Sequence, residues 1–172
     1  IMVYFVLNAF GQTCVTFIGQ NYGAGNKKRC RQIFWQLMWI NAIFTLVISV
    51  LVYVFSGNIM SLFNGDPKII EYGMVRIKIM MLGQVVNAIM ETTSGFLRGL
   101  GKSMPPALIT LVCVCGVRIG WVYTIFAQYH TWEMLIFVYP LSWVVASVVL
   151  MVVTIRAMRK LLSDKMPETT EA

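Results

Sequence analysis

Charge is what this sequence lacks most. Only 12% of its 172 residues are charged, against 58% hydrophobic, and the mean hydropathy is +0.73. A soluble domain carries about 25% charged residues. Half that share cannot cover a water-facing surface, so a bilayer is the expected solvent. Acidic residues are scarcer still, seven against fourteen Lys and Arg. Histidine occurs once, as His130 in a polar connection, and reads as a solvated loop residue. One histidine supports no Ser/His/Asp set, no Cys/His pair and no metal-spaced cluster. An enzyme, a metal site and a bound cofactor are therefore not expected. The four cysteines (Cys14, Cys30, Cys113 and Cys115) read as apolar helix residues without a disulfide. The first apolar stretch has neither a basic n-region nor a small-residue cleavage site, so it is not expected to be a signal peptide. The chain opens at Ile1 without an initiator Met, and the expectation is a fragment preceded by further protein.

What is present is long apolar runs. A helix needs about 20 apolar residues to cross the hydrocarbon core. Residues 33–55 carry no charge, and residues 134–155 carry none either, with Pro140 expected to kink the second of these. Residues 105–127 qualify with Arg118 inside; residues 68–98 form a long segment with charges in its first third and an apolar centre; residues 1–20 look like the end of a further span. The reading is all-α, a polytopic transmembrane helix bundle of five spans within 1–163, followed by a polar tail, 164–172. Gly57-Asn58 and Asn64-Gly65-Asp66-Pro67 mark one turn region, with Pro67 suited to a first helical turn. Gly99, Gly101 and Pro105-Pro106 mark another.

Basic residues set the orientation. Lys27, Lys28, Arg29 and Arg31 follow the first span, Arg98 and Lys102 follow the third, and Arg156, Arg159, Lys160 and Lys165 follow the fifth. Those ten lie on one side, against Lys68 alone on the other. The positive-inside rule makes the basic side, and with it the C-terminus, cytoplasmic. The chain is thus read as a multi-pass protein of the cell membrane with the lipid bilayer as its partner. Its net charge of +7 is a matter of topology, and no basic–aromatic interleaving suggests nucleic acid. Trp35 and Trp39 at the inner ends, and Tyr53, Phe55, Tyr129 and Trp132 at the outer ends, read as interface anchors.

One face carries chemistry. Gln84, Asn87, Glu91, Ser94 and Arg98 are spaced 3, 4, 3 and 4 and so share one side of a helix. Polar groups are costly against lipid, so this face is expected to look into protein or a water-filled cavity. Glu91 lies about 10 Å from Arg98 along the axis, inside the membrane, where an ionisable residue is a functional candidate or a structural carboxylate reached by Arg98. Arg118 lies about 20 Å from the basic side; a direct pair with Glu91 would need the helices to be offset by about 10 Å. Arg76 and Lys78 lie nearer the outer end, where they can snorkel. Tyr4, Asn8 and Gln12 share a face at spacing 4, 4 and suit either a cleft lining or helix–helix hydrogen bonds. Gly95 to Ser103 ends in Gly-Lys-Ser, but five residues separate Gly95 from Gly101 where a phosphate-binding loop needs four, so nucleotide binding is rejected.

Three segments carry a family resemblance: "FIGQNYGAGNKKR" at 17–29, "LFNGDPKII" at 62–70 and "GFLRGLGKSMPP" at 95–106. Their turn residues are Gly19, Gln20, Gly23 and Ala24 in the first, and Leu97, Arg98, Gly99 and Gly101 in the last. With Arg118 downstream, the chain resembles the C-terminal portion of a MATE (multidrug and toxic compound extrusion) transporter of the MOP flippase superfamily. The resemblance implies a twelve-helix, two-lobed fold of which these spans are about helices 8 to 12. It implies export of organic cations, drugs or metabolites by antiport with Na⁺ or H⁺. The missing N-terminal lobe and a small-molecule substrate are then the partners. It also implies a coupling carboxylate on the tenth helix; aligning on the LRG turn puts that position at Asn87, a neutral amide, with Glu91 one turn later as a substitute. A flippase of lipid or lipid-linked oligosaccharide would line its cleft with several basic residues, and Arg118, Arg76 and Lys78 stand against Glu91 and Glu71. A non-transporting membrane scaffold would need no buried polar stripe.

Overall fold

The computed structural model describes residues 2–63, 66–129 and 132–163, and every element among them is helical. The elements are α1 (Met2–Gly23), α2 (Lys27–Val54), α3 (Ser56–Phe63), α4 (Pro67–Gly99), α5 (Met104–Phe126) and α6 (Trp132–Ser163), with a last turn, Ala127–Tyr129, after α5. Among the described residues four helices are long and apolar enough to cross a membrane: α2, α4, α5 and α6 from Met134. At 22 residues α1 also has a span's length, about 33 Å at the usual rise. Asn64-Gly65, His130 and the tail 164–172 lie outside the described residues, as do the side chains of Tyr129 and Trp132.

The ends of the helices show which glycines turn the chain. After α1 the amide of Asn26 bonds to Asn21 O and that of Gly25 to Tyr22 O. After α4 the amide of Lys102 bonds to Leu97 O and that of Gly101 to Arg98 O. Both are Schellman closures, which need a residue in the left-handed region. Gly25 (φ 74°) and Gly101 (φ 77°) supply it. The expected turn residues Gly19, Gln20 and Gly23 belong instead to the last turns of α1, and Gly99 ends α4. The first turn region is corrected as well: Gly57 and Asn58 lie inside α3. The amides of Phe55 and Ile59 still reach Leu51 O and Phe55 O, so the hydrogen-bond ladder carries through. A Cβ at Gly57 would stand 3.6 Å from Met74 Sδ of α4, an ordinary contact, so packing does not require glycine there. Pro67 does open α4, where Asp66 accepts from the amide of Lys68 at 3.0 Å. The last helix continues to Ser163, so Arg156, Arg159 and Lys160 are helical.

α4 runs through the centre, packed by α1, α2 and α6, while α5 lies outside against α6 and α4. Cys14 and Ile18 (α1), Phe34 and Met38 (α2), Phe96 (α4) and Met158 (α6) form one buried cluster. Phe34 and Phe96 meet edge to face at 4.9 Å. Met90 and Leu97 of α4 form a second cluster with Ala146 and Leu150 of α6. The α1–α4 crossing is closer than side chains would allow. A Cβ on Gly95 would stand 2.6 Å from Gly11 O, and one on Gly99 2.8 Å from Ile18 Cβ. Gly95 and Gly99 are a G-x-x-x-G pair, which lets backbones approach in a solvent where apolar burial gives no drive to associate.

A polar seam ties α2 to α4. Asn41 Nδ2 donates to Thr92 Oγ1 at 2.9 Å and to Ala88 O at 3.3 Å, and Thr45 Oγ1 donates to Asn41 Oδ1 at 3.2 Å. Cys14 Sγ of α1 approaches Thr92 O at 3.5 Å. Asn41, Thr45 and Thr92 are all buried. Interhelical hydrogen bonds in membranes contribute about 0.6 kcal/mol on average and up to about 1.7. Asn41→Ala removes two of them and leaves a void, so a loss of about 1–3 kcal/mol is expected. A thermal-melting series in detergent checks this, with Thr45→Val expected to cost less.

Candidate functional site

The polar stripe keeps its shared face in α4 but divides into two parts. Gln84 and Asn87 are buried, and Asn87 Nδ2 donates to Gln84 Oε1 at 3.3 Å. This part of the stripe carries no charge. Glu91, Ser94 and Arg98 are half-buried and line a cleft of about 440 Å³ between α4 and α5. Ser103, Thr110 and Cys115 line its other side.

Glu91 and Arg98 stand two helical turns apart on one face, and the Arg98 guanidinium reaches back to Glu91 Oε2 at 3.6 Å. The carboxylate is wedged against α1, where a Cβ at Gly11 would come within 3.3 Å of Glu91 Oε2 and 3.7 Å of the Arg98 guanidinium. A side chain at Gly11 would crowd the carboxylate, which would have to give by a few tenths of an ångström. The pair is incomplete: Arg98 Nε is buried with no hydrogen-bond partner among the described residues. A buried donor without an acceptor is costly, and here it borders a cleft that can admit water or an acceptor.

Arg118 does not reach this site. Its guanidinium lies 4.4 Å over the Tyr139 ring and its Nε donates to Ser142 Oγ at 3.3 Å. The direct Glu91–Arg118 pair entertained from sequence is thus replaced by one within α4. The separation in depth is the reason, since α6 offers Arg118 an aromatic face and a hydroxyl at its own level. The helix carrying Arg118 widens into π-helical turns at Leu111–Cys115 and Val122–Phe126, on either side of it. Such turns have no composition signal, so the sequence does not show them.

Tyr4, Asn8 and Gln12 stay together on α1 but do not join the α4 stripe. Gln12 Nε2 donates to Asn8 Oδ1 at 3.4 Å, and Tyr4 and Gln12 are exposed. Gly11, one residue round the helix, is what meets Glu91. Lys78 Nζ lies 5.8 Å from the Tyr53 ring, and Arg76 is exposed.

The buried seam of Asn41, Thr45 and Thr92 was not anticipated. Asn41, Thr45 and Ser49 repeat every fourth residue, the same signal that marks α4. A span identified by its lack of charge hides neutral polar residues. The three basic connections also come together at one end. The α1–α2 turn shares a cleft with Leu162 at the end of α6, and Gly19 near the end of α1 lies beside Gly99 at the end of α4.

A sequence profile of the family described as MatE matches residues 1–124. Among curated relatives, "Probable multidrug resistance protein NorM" of Thermotoga maritima is 31% identical over 104 residues, 60% of this chain and 22% of that protein. "Protein DETOXIFICATION 7" of Arabidopsis thaliana is 25% identical over 122 residues, 69% of this chain and 24% of that one. The match thus spans under a quarter of each relative's length. A solved structure described as the inward-facing conformation of a multidrug resistance MATE family transporter of the MOP superfamily shares the fold. Its TM-score is 0.78 at 16% identity, over 97% of this chain and 40% of that one.

Proposed function

Because the chain belongs to the MatE family, we propose that it forms most of one helical lobe of a secondary transporter that exports organic cations, drugs or metabolites by antiport with Na⁺ or H⁺. The observation that carries this reading is the intramembrane pair Glu91–Arg98 at the edge of a cleft. A carboxylate inside the hydrocarbon region is expensive and is retained where charge must be handled. When Glu91 takes up a proton or a cation, its hold on Arg98 weakens, and Arg98 can turn into the cleft. That gives two arrangements with different affinities for the ion, which coupling requires. Asn87, where the family resemblance puts a coupling carboxylate, is a buried amide tied to Gln84, and this supports moving the role one turn along to Glu91.

The lobe would rock against a second one around a central cleft, with Tyr4, Asn8 and Gln12 on the exposed flank of α1 as its lining. The common end of the three basic connections supports a cytoplasmic C-terminus. A flippase of anionic lipid-linked sugars would need free cations within the membrane. Arg118 is engaged by Tyr139 and Ser142, and Arg98 by Glu91, which favours export. The test is efflux of a fluorescent organic cation from vesicles holding the full-length protein, under an imposed Na⁺ or H⁺ gradient. One gradient is expected to drive accumulation; transport unaffected by both would sink the antiport reading.

A further inference from the structure

At the basic end of the bundle the α1–α2 turn walls a cleft of about 890 Å³ that the transport reading does not use. Its polar lining includes Lys27, Lys28 and Arg29 with Asn21, Asn26 and Gln32; its apolar lining is Phe17, Ile33 and Leu162. A second hollow of about 590 Å³ shares Lys28, Gln32 and Leu162 with it and adds Arg31 and Trp35. Among the described residues no carboxylate lines either one. We propose that this cleft is a binding site for the phosphate headgroup of an anionic phospholipid.

Four features point to that ligand. Three cations and several amides converge on one hollow, which suits a phosphate oxyanion. Asn26, at the N-cap of α2, makes no side-chain capping bond; the amide of Lys27 is taken by Gly25 O at 2.9 Å, which leaves those of Lys28 and Arg29 at the start of a 28-residue helix as donors for an anion. Three apolar residues stand on the membrane side of the cations: Ile33 and Trp35 follow Arg29 and Arg31 into the span, and Phe17 precedes Asn21 in α1. A free phosphate would leave them unused, whereas an acyl chain would lie along them, and Trp35 is a residue of the membrane interface. Lastly, the cleft opens away from the transport face. Asn21 follows Gln12 by nine residues, which is about 180° around α1.

The experiment uses the full-length protein purified in a neutral detergent and titrated separately with phosphatidylglycerol, phosphatidylcholine and inorganic phosphate. Binding is read by thermal shift and by lipid retained in native mass spectrometry. Phosphatidylglycerol is expected to raise the melting temperature and to be retained, and the other two to do neither at matched concentration. Each basic residue near a membrane surface changes anionic-lipid binding about fivefold, so Lys28→Gln with Arg29→Gln is expected to weaken it roughly 30-fold. Arg156→Gln with Arg159→Gln removes the same charge outside both hollows and is expected to keep most of the binding. Equal losses in the two double variants, or equal retention of phosphatidylcholine, would overturn the site. Binding of inorganic phosphate as tight as that of the lipid would overturn the lipid as its ligand. Should the cleft variant fail to fold, lipid co-purified with the unaltered protein decides: no enrichment of anionic over zwitterionic lipid rejects the proposal.

Discussion

Glu91→Gln is expected to cut ion-driven efflux at least about tenfold, a change of 1.4 kcal/mol in free energy, with little change in the amount of folded protein. Glutamine keeps the shape of the side chain and its place beside Gly11, and its amide oxygen remains an acceptor facing Arg98. It cannot hold a proton or a cation. At 3.6 Å and an effective dielectric near 20, the lost Coulomb attraction is about 4–5 kcal/mol before desolvation. Exposure reduces that figure, because the Arg98 side chain is 31% accessible and the Glu91 side chain 17%. A third of it would still exceed what a tenfold effect requires. The fold is spared because the freed guanidinium has a cleft beside it in which to find water. Glu91→Asp retains the charge at shorter reach and should recover part of the activity. Efflux measured in vesicles, normalised to folded protein, checks the series. If Glu91→Gln transports as the parent does under the same gradient, Glu91 is a structural carboxylate and coupling lies elsewhere.

The α4 stripe was readable in the sequence because a helix fixes angular position from spacing alone. The same logic made the α2 seam readable, but neutral residues in an uncharged span drew no attention to Asn41. What opposes each stripe was not readable. Gly11 meets Glu91 because two helices cross there, and nothing local to "AFGQT" reports a crossing. Depth was a better guide than pairing: the rise per residue separated Arg118 from Glu91 by about 10 Å, and the structure gives each its own partner. The turns failed differently. Three glycines precede Lys27 within 17–26, and only backbone closure decides that Gly25 takes positive φ while Gly19 and Gly23 stay helical. Hydrocarbon thickness sets the length of an apolar run, which is what makes a span visible in sequence. It does not set where the helix ends: α6 continues through basic residues to Ser163, clear of the apolar stretch.

Gly95→Val is expected to abolish the folded lobe, and the reason lies in which atom the new side chain meets. Its Cβ would sit 2.6 Å from Gly11 O and 3.1 Å from Cys14 Cβ. The first is backbone of a packed helix, so no rotamer change relieves it; α1 must move as a body. Moving it also disturbs Cys14 against Thr92 and the Gly11 wall behind Glu91. Overpacking a core typically costs about 1–3 kcal/mol, and a backbone clash belongs at or above the top of that range. Against a total stability of about 5–15 kcal/mol, the expected result is several-fold less monodisperse protein after detergent extraction. Gly99→Val offers the contrast. Its nearest neighbours are Ile18 Cβ at 2.8 Å and Ile18 Cγ2 at 2.9 Å, side-chain atoms, with Val15 O next at 3.0 Å. Ile18→Ala removes Cγ2 but keeps Cβ, so it should restore a small part of what Gly99→Val loses and nothing of what Gly95→Val loses. Size-exclusion profiles of the two double variants separate the cases. Rescue of Gly95→Val by Ile18→Ala would mean that the α1–α4 crossing is looser than its glycines indicate, and that the wall holding Glu91 against Arg98 is looser with it.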